Sequence, residues 1–499
     1  MKPDTPIRRP EEIELKLALP TSKPSSLARQ LARTHPLARR KETHQHLHDI
    51  YYDTPDQLLR QKHIALRLRR IGSDEKPQWL QTLKTGGRSH SGLSRRGEWE
   101  ASVPGAELAL SVLKSTPWSA FDPDGTVFRA LAPCFETSFE RTSWSVRRRD
   151  GSLIEVALDL GHITVGEKTA SICELELELL RGHAAALFDL AQQISRSIAV
   201  LPVNMSKAER GYALAQGSLD APLNAQPLEL TNDLSLPAAA QRVLREMFCQ
   251  FTANLNAIRS SDDSEVIHQA RVGWRRFKSA LRLFKPALEA QELPSWQALE
   301  LLLDFLGEVR DLDVALHDTL PPLAEVYTAG DTRRTESWAA MTQALRHSAS
   351  LQRKSVRYAL QEPAVGASLL AITQWLDGLS SQAGAGGVDQ EVPLRRWARQ
   401  RIAHLHKQLR AARNDTSSPD SQHRVRILAK RMRYSSEALR DLLPKKRTEQ
   451  WLQQATNMQT SLGAARDVMQ ASVLVAKLEA DRGLAEFLRG IAVERSRRG

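Results

Sequence analysis

The stretch EIELKLAL, residues 12–19, alternates charged and apolar side chains one by one. Successive side chains of an extended strand point to opposite faces, so Glu12, Glu14 and Lys16 share one face and the leucines the other. Other segments before residue 215 alternate in the same way: IALRLRRI (64–71), QWLQTLK (78–84), RGEWEASV (96–103), LIEVALDL (153–160) and ICELELELL (172–180). Short alternating segments bounded by Gly, Pro, Asp and Ser predict antiparallel strands.

The charged faces of these strands are unusual because their charges cluster by sign. Acids lie on the first and last strands and bases on the middle ones, as the following residues show: Glu12, Glu14, Lys16, Arg67, Arg69, Lys84, Arg96, Glu98, Glu100, Glu155, Asp159, Glu174, Glu176 and Glu178. A solvated outer face would explain any one strand, but ordinary surfaces mix signs. A sheet that closes into a barrel would instead surround an interior of opposed carboxylates and cations. Such an interior suits a metal-bound polyphosphate.

The hydrophobic period changes in the second half of the chain. Residues 217–237 are rich in Pro, Asn, Ser and Asp and are predicted to be a linker. From there to residue 497, apolar residues recur at spacings of three and four, which predicts an all-α region. The predicted organisation is therefore a strand-rich domain over 8–216, the linker, and a helical domain over 238–497.

The helical region contains an internal repeat. IHQARVGWRRFKSALRLF (267–284) matches QHRVRILAKRMRYSSEAL (422–439), and LGEVRDLDV (306–314) matches LGAARDVMQ (462–470). The shared basic residues are His268, Arg271, Arg275, Arg276 and Lys278 in the first copy and His423, Arg426, Lys430, Arg431 and Arg433 in the second. One basic helix face is usually only solvated, but two copies favour a polyanion site. Arg310 and Arg466 each precede an aspartate, which favours internal ion pairs.

Composition limits the classes of protein that the chain can represent. The 499 residues carry a net charge of +12, with 41% hydrophobic and only 5% aromatic residues. Three widely spaced cysteines predict no disulfide framework, and no apolar run is long enough for a membrane helix. The N-terminal residues lack the apolar stretch of a secretory signal. We expect a cytoplasmic protein, and the low aromatic content argues against nucleic-acid binding by base stacking.

The N-terminal motifs, in order, resemble the CYTH superfamily, the triphosphate tunnel metalloenzymes. They are ExExK, YYDTPDQLL, ALRLR, LQTLK, RxExE, EVALD, ELELEL and SKAERGY. The resemblance implies a closed eight-stranded antiparallel β tunnel with helices that hydrolyses or rearranges triphosphates. It implies Mg²⁺ or Mn²⁺ as cofactor, held by Glu12, Glu14, Asp159, Glu174 and Glu176. Its implied substrate contacts are Lys16, Arg67, Arg69, Lys84, Arg96, Arg141 and Lys207, with Lys16 and Glu98 as candidates for the proton acceptor.

The duplicated region resembles the CHAD domain, which is often found after a CYTH domain and is associated with inorganic polyphosphate. This resemblance implies a helical bundle of two repeats that binds polyphosphate through the ten repeated basic residues. Together the two resemblances imply an inorganic triphosphatase in which metal-activated water attacks the terminal phosphoryl of tripolyphosphate, in the cytoplasm or at polyphosphate granules. The alternatives are a thiamine triphosphatase or adenylate cyclase on the same tunnel, or a non-catalytic polyphosphate-binding protein.

Overall fold

The chain divides into two compact units. The computed structural model describes residues 11–72, 77–288, 291–379, 393–414, 419–478 and 482–498. The first unit takes the chain up to Ala221 together with Leu360–Gln374, and the second takes Pro222–Ala359 and Trp375–Gly499. We refer to them as the barrel unit and the helical unit.

The barrel unit is built on one antiparallel sheet. Its strands are β1 Glu11–Ala18, β2 Glu42–Asp53, β3 Ala65–Ile71, β4 Gln78–Lys84, β5 Arg88–His90, β6 Leu93–Val103, β7 Ala132–Arg147, β8 Leu153–Val165, β9 Lys168–Arg181 and β10 Leu201–Pro202. Eight of them form a closed ring in the order β1–β9–β8–β7–β2–β3–β4–β6, because β6 pairs back onto β1. The predicted closed eight-stranded barrel is confirmed.

Alternation along the strands gives the barrel a charged inside and an apolar outside. Leu15, Leu17, Val156 and Leu175 point outward and are fully buried beneath flanking helices, together with Phe188 of one of them. The helices of this unit are α1 Leu27–Ala32, α2 Leu58–Gln61, α3 Leu110–Leu113, α4 Trp118–Phe121, α5 Thr126–Arg129, α6 Ala185–Ile194 and α7 Lys207–Ala215. The apolar face therefore holds the helices, which leaves the charged face to line the lumen.

The rest of the described chain is helical, as predicted. Its helices are α8 Leu236–Ala257, α9 Ser264–Leu283, α10 Lys285–Leu288, α11 Glu300–Asp313, α12 Ala324–Thr328, α13 Thr332–Ala359, α14 Pro363–Gly378, α15 Leu394–Arg413, α16 Pro419–Ala438, α17 Lys445–Lys477 and α18 Arg482–Arg498. Most of α14 belongs to the barrel unit, where Leu370 joins the apolar core. Among the described residues, no helix combines the length and apolarity that a membrane crossing requires.

The repeated segments lie on α9 and α16, each with an apolar stripe in the core. Trp274, Phe277 and Phe284 of the first copy are buried, as are Ala429 and Met432 of the second. The helices α8 and α9 approach closely at Gly273, where a Cβ atom would lie 2.7 Å from the backbone nitrogen of Phe251. The opposite, basic stripe of α9 is consequently only half-buried in the helical unit.

Candidate functional site

The first strand brings two acids and a base into the lumen as one group. Glu12 accepts hydrogen bonds from Lys84 Nζ at 2.9 and 3.1 Å and from Arg96 Nε at 2.6 Å. Glu14 accepts from Lys16 Nζ at 2.7 Å and from Arg96 Nη2 at 2.6 Å. Burial alone would raise the pKa of Glu12, but Lys84 and Arg96 lower it well below its ordinary value. Glu12 is therefore ionised, and both acids are closely matched by cations.

Three further carboxylates surround a single ammonium group. Lys207 Nζ donates to Asp159 Oδ2 at 2.7 Å, Glu174 Oε1 at 2.5 Å and Glu176 Oε1 at 3.0 Å. Arg141 bridges two of these acids, at 2.7 and 2.6 Å from Asp159 and 2.6 Å from Glu176. Burial opposes the ionisation of Glu176, yet Lys207 and Arg141 hold its pKa well below its ordinary value.

A capping box explains how Lys207 reaches these acids. The Ser206 hydroxyl accepts from the backbone of Glu209 at 3.2 Å, and the Glu209 carboxylate accepts from the backbone of Ser206 at 2.7 Å. The two bonds satisfy free N–H groups at the helix start, so α7 begins at Lys207. The side chain of this first helical residue then enters the barrel.

This acidic group has the donors that a divalent cation needs. Asp159, Glu174 and Glu176 can each supply one carboxylate oxygen, all within 4.8 Å of one another. Carboxylate oxygens are hard ligands of the kind that Mg²⁺ and Mn²⁺ prefer. The Lys207 ammonium lies among the same oxygens, which shows that the group accommodates a cation. The residues therefore fit a metal ion, with Lys207 as its competitor.

Asp49 on β2 completes the charged lining and was missed by the sequence interpretation. It is fully buried and accepts two bonds from Arg69, at 2.6 and 2.8 Å, and one from Arg67 at 3.3 Å. Burial opposes its ionisation, but Arg69 and Arg67 hold its pKa well below the ordinary value. The only signal in the sequence is its position between Leu47 and Tyr51, where alternation places all three on one strand face.

The remaining predicted lumen residues line the same interior. Glu98 lies 3.0 Å from Lys84 and 3.8 Å from Arg67, and Thr82 donates to Glu100 at 3.0 Å. The pKa of Glu178 is raised to about 7 by burial and by the negative charges of Glu12 and Glu98. Every metal and substrate candidate of the barrel is therefore in the lumen, in the two acidic groups or, for Arg67 and Arg69, around Asp49.

An apolar layer lies beyond the charged residues, where α7 meets the barrel. Tyr51 stacks on Phe135 with ring centroids 4.7 Å apart, and Tyr212 of α7 packs on the edge of Phe135 at 5.1 Å. Phe139 separates this layer from the charges, with Lys207 Nζ 4.9 Å from its ring centroid. The charged lining is consequently confined to the other part of the lumen.

In the helical unit, basic residues from both repeats form a second charged group. We call Arg271, Arg275, Lys278, Arg426 and Lys430 the basic cluster. Burial, followed by the charges of Arg275 and Arg426, lowers the pKa of Lys430 to about 8. Burial and Arg275 likewise lower the pKa of Arg271. Helices α9 and α16 contact each other, which brings the bases of the two repeats together.

The basic cluster has no directly bonded counter-ion among the described residues, although the charge of Asp311 acts on Arg271 and that of Asp467 acts on Arg426 and Lys430. None of its five members forms an ion pair with a carboxylate in the described part of the chain, and the buried Arg275 Nε has no hydrogen-bond partner there. Gly307 of α11 lets the Arg271 guanidinium approach, since a Cβ there would lie 2.8 Å from Nη1. Partly buried cations without a bonded counter-ion are unfavourable, so the arrangement favours an anionic ligand.

The other predicted contacts of the repeats are placed differently. Arg276 does not lie in the cluster, because its guanidinium is buried against α8, bonded to Gln250 at 2.5 Å and Glu246 at 3.1 and 3.2 Å. Arg433 is paired with Glu437 at 2.9 Å. His268 and Arg431 are partly buried, and neither Nδ1 of His268 nor Nε of Arg431 has a hydrogen-bond partner among the described residues. Arg310 forms its ion pair with Asp318 at 3.6 Å and not with the adjacent Asp311. The side chain of His423 lies outside the described residues. We therefore leave Arg276 out of the proposed contacts.

The contrast between Arg275 and Arg276 predicts opposite results for neighbouring substitutions. Arg276→Ala is expected to lower the free energy of unfolding by about 3 kcal/mol, because it leaves Glu246 buried without its partner. Arg275→Ala is expected to leave that free energy unchanged or raise it, since it removes one of several like charges. Urea titration followed by circular dichroism measures both. Equal losses in the two variants would contradict the assignment.

Comparison with known proteins agrees with this architecture. Residues 10–212 match the CYTH domain family and residues 242–476 match the CHAD domain family. The chain therefore consists of a CYTH domain followed by a CHAD domain, as the sequence motifs predicted.

Individual relatives resemble one or the other part. The chain is 35% identical over 211 residues to the inorganic triphosphatase of Haemophilus influenzae; the match covers 41% of this chain and 55% of the relative, about half its length. A CHAD domain from the plant Ricinus communis shows a TM-score of 0.48 at 29% identity, covering 55% of this chain and 91% of its own. A Hippeastrum protein described as having a dominant triphosphatase activity shows a TM-score of 0.31 at 19% identity, with 42% and 97% covered.

Proposed function

We propose that the barrel unit is a divalent-metal-dependent inorganic triphosphatase that converts tripolyphosphate to pyrophosphate and phosphate. The observation that carries the proposal is the lumen, where six acids, Asp49 among them, and seven bases meet at hydrogen-bonding distances in one closed barrel. The CYTH match and the likeness to an inorganic triphosphatase support the same reaction class.

The chain's own residues would bind and orient the substrate by charge. Tripolyphosphate carries roughly four to five negative charges near neutral pH and repels an attacking water. Arg67, Arg69 and Arg96, with Lys84 and Arg141, would contact its oxygens and stabilise charge on the leaving pyrophosphate. Bound at Asp159, Glu174 and Glu176, with Glu12 and Glu14 adjacent, Mg²⁺ or Mn²⁺ would polarise the phosphate and activate water.

Our candidates for the proton acceptor are Lys16 and Glu98, both of which lie in the lumen. Glu98 lies 3.0 Å from Lys84 and 3.8 Å from Arg67, and Lys16 bonds to Glu14, which also binds Arg96. Lys207 would move from its carboxylates toward phosphate when a metal ion takes its place. This exchange keeps the charge of the acidic group balanced in both states.

For the helical unit we propose binding of inorganic polyphosphate at the basic cluster. Its unpaired, mutually repelling cations support a polyanion ligand, and a linear chain of phosphates also shares its chemistry with the proposed substrate of the barrel. A cytoplasmic location, with association with polyphosphate granules, is part of the same proposal.

The activity is tested by phosphate release from tripolyphosphate, ATP and thiamine triphosphate, each with Mg²⁺, with Mn²⁺ and with EDTA. We expect fast release from tripolyphosphate with metal and none with EDTA. Preferred turnover of thiamine triphosphate would make the protein a thiamine triphosphatase, and formation of cyclic AMP from ATP would make it an adenylate cyclase. In both cases the lumen would remain the active site, but tripolyphosphate would not be the substrate. No turnover of any substrate would make the barrel a passive binding module and contradict the proposal.

A further inference from the structure

Helix α15 carries an exceptional excess of positive charge. Its 20 residues include the seven cations Arg395, Arg396, Arg399, Arg401, Lys407, Arg410 and Arg413 and no aspartate or glutamate. Surface helices ordinarily mix both signs, because pairs of opposite charge stabilise a helix and like charges repel. Neither the barrel nor the basic cluster uses these residues.

Four of these cations form a line on the solvent face of α15. Leu394, Ala398, Ile402 and Leu409 are buried on one side. On the other side, Arg396, Arg399, Lys407 and Arg410 are exposed, at spacings that place them on one stripe. At a rise of about 1.5 Å per residue the stripe is roughly 21 Å long. None of the four forms an ion pair with any residue that the structure describes.

The internal repeat shows that the helical architecture does not require this charge. Helix α8 precedes α9 as α15 precedes α16, so α8 is the counterpart of α15 in the first repeat. It carries only Arg242, Arg245 and Glu246 as charged residues, and Arg245 is paired with Asp377 at 2.7 Å. The positive stripe is therefore a property of the second repeat alone.

We propose that the solvent face of α15 is a second binding surface for inorganic polyphosphate, occupied by the part of a long chain that extends beyond the basic cluster. The proposal rests on polyphosphate binding at that cluster. Phe284, at the end of α9, stacks on Trp397 in the first turn of α15, with ring centroids 5.3 Å apart. This contact places the end of α9, the helix that carries half of the basic cluster, against the first turn of α15.

The chemistry of the face distinguishes inorganic polyphosphate from a membrane. A membrane-binding helix needs large apolar residues that insert between lipids, but the apolar residues of α15 are packed against its own unit. The exposed positions between the cations are Gln400, Ala403, His404, Gln408 and Ala411, none of them a large apolar side chain. A row of point charges without apolar contacts suits a flexible chain that repeats only phosphates.

The test compares two full-length variants that remove equal charge from the helical unit. The α15 variant combines Arg396→Gln, Arg399→Gln, Lys407→Gln and Arg410→Gln, which keeps good helix formers at each position. The control combines Arg333→Gln, Arg346→Gln, Lys354→Gln and Arg489→Gln, which are exposed elsewhere in the unit. Binding is measured without divalent metal, to prevent hydrolysis, for a short polyphosphate that spans only the cluster and a long one several times that length.

We expect the α15 variant to lose affinity for long polyphosphate by at least about tenfold. The slope of log K against log salt concentration should also become shallower by about 3, because each of the four lost contacts to a single-stranded chain contributes roughly 0.7 to that slope. Its affinity for short polyphosphate should match wild type. Equal losses in the α15 variant and the control would overturn the proposal, because net charge alone would then explain the binding. Loss of duplex DNA binding with long polyphosphate unaffected would assign the face to nucleic acid instead.

A third variant separates this proposal from the proposed function of the cluster. Arg275→Gln with Lys430→Gln should weaken both short and long polyphosphate. If that variant bound both lengths as wild type while the α15 variant did not bind the long one, the cluster proposal would fail and the α15 surface would stand. If wild type bound neither length, both proposals would fail.

Discussion

Replacing Glu14 with glutamine is expected to reduce metal-dependent phosphate release from tripolyphosphate by about 10²–10³-fold. Glu14 balances Lys16 and Arg96 at 2.7 and 2.6 Å, and we assign it to the metal-binding set. Glutamine preserves shape and hydrogen bonding but removes the negative charge. The loss of activity therefore measures the contribution of the Glu14 negative charge. The metal concentration that gives the half-maximal rate should rise as well.

Glu11 supplies a matched control on the same strand. It is exposed and precedes the alternating set, so Glu11→Gln should keep wild-type activity. Circular dichroism and polyphosphate binding by the helical unit show whether the Glu14 variant is folded. Activity within a few-fold of wild type in folded Glu14→Gln would refute the site.

The largest effect expected in the helical unit belongs to the double substitution Arg275→Gln and Lys430→Gln. We expect at least about a 100-fold loss of polyphosphate affinity, since hydrogen bonds from charged groups contribute about 1.5–3 kcal/mol each. Thermal stability should not fall, because the two cations repel each other and their burial is unfavourable. Arg276→Ala should show the reverse, with lower stability and nearly unchanged affinity. A double variant that is destabilised yet binds normally would contradict the proposed cluster.

Lys430 adds a pH signature to the same prediction. Its pKa in the folded protein, about 8, lies below the ordinary value of 10.5 because of burial and the nearby charges of Arg275 and Arg426. Bound phosphate would favour the charged amine, so binding takes up a proton once the free protein has lost it. Affinity should be greatest below pH 8 and fall as the pH rises through 8 toward 10.5. Lys430→Arg should remove this dependence, whereas a pH-independent wild type would exclude Lys430 from the contact.

Alternation in the strands was sufficient to predict the charged lining of the barrel. Arg96 shares strand parity with Glu98, and it does contact Glu12 and Glu14 in the lumen. Asp49 escaped prediction because its neighbours on the same face of β2, Leu47 and Tyr51, are apolar, so this strand lacks the alternating run of charges that marks the other lumen strands. Only its pairing with Arg67 and Arg69, across β2 and β3, identifies it as part of the charged network.

The sequence by itself determined which side chains share a face, because strand and helix periods depend only on local backbone geometry. It determined the start of α7 through the Ser206–Glu209 capping box, and the duplication of the basic helix. Only the tertiary structure decided which charges meet. Arg276 is neutralised by Glu246 and Gln250, which come from another helix, whereas Arg275 faces away from them and has no ion pair among the described residues. Lys207 meets its carboxylates, those of Asp159, Glu174 and Glu176, because the fold brings distant parts of the chain together. Such pairings depend on distances between elements, which no local pattern encodes.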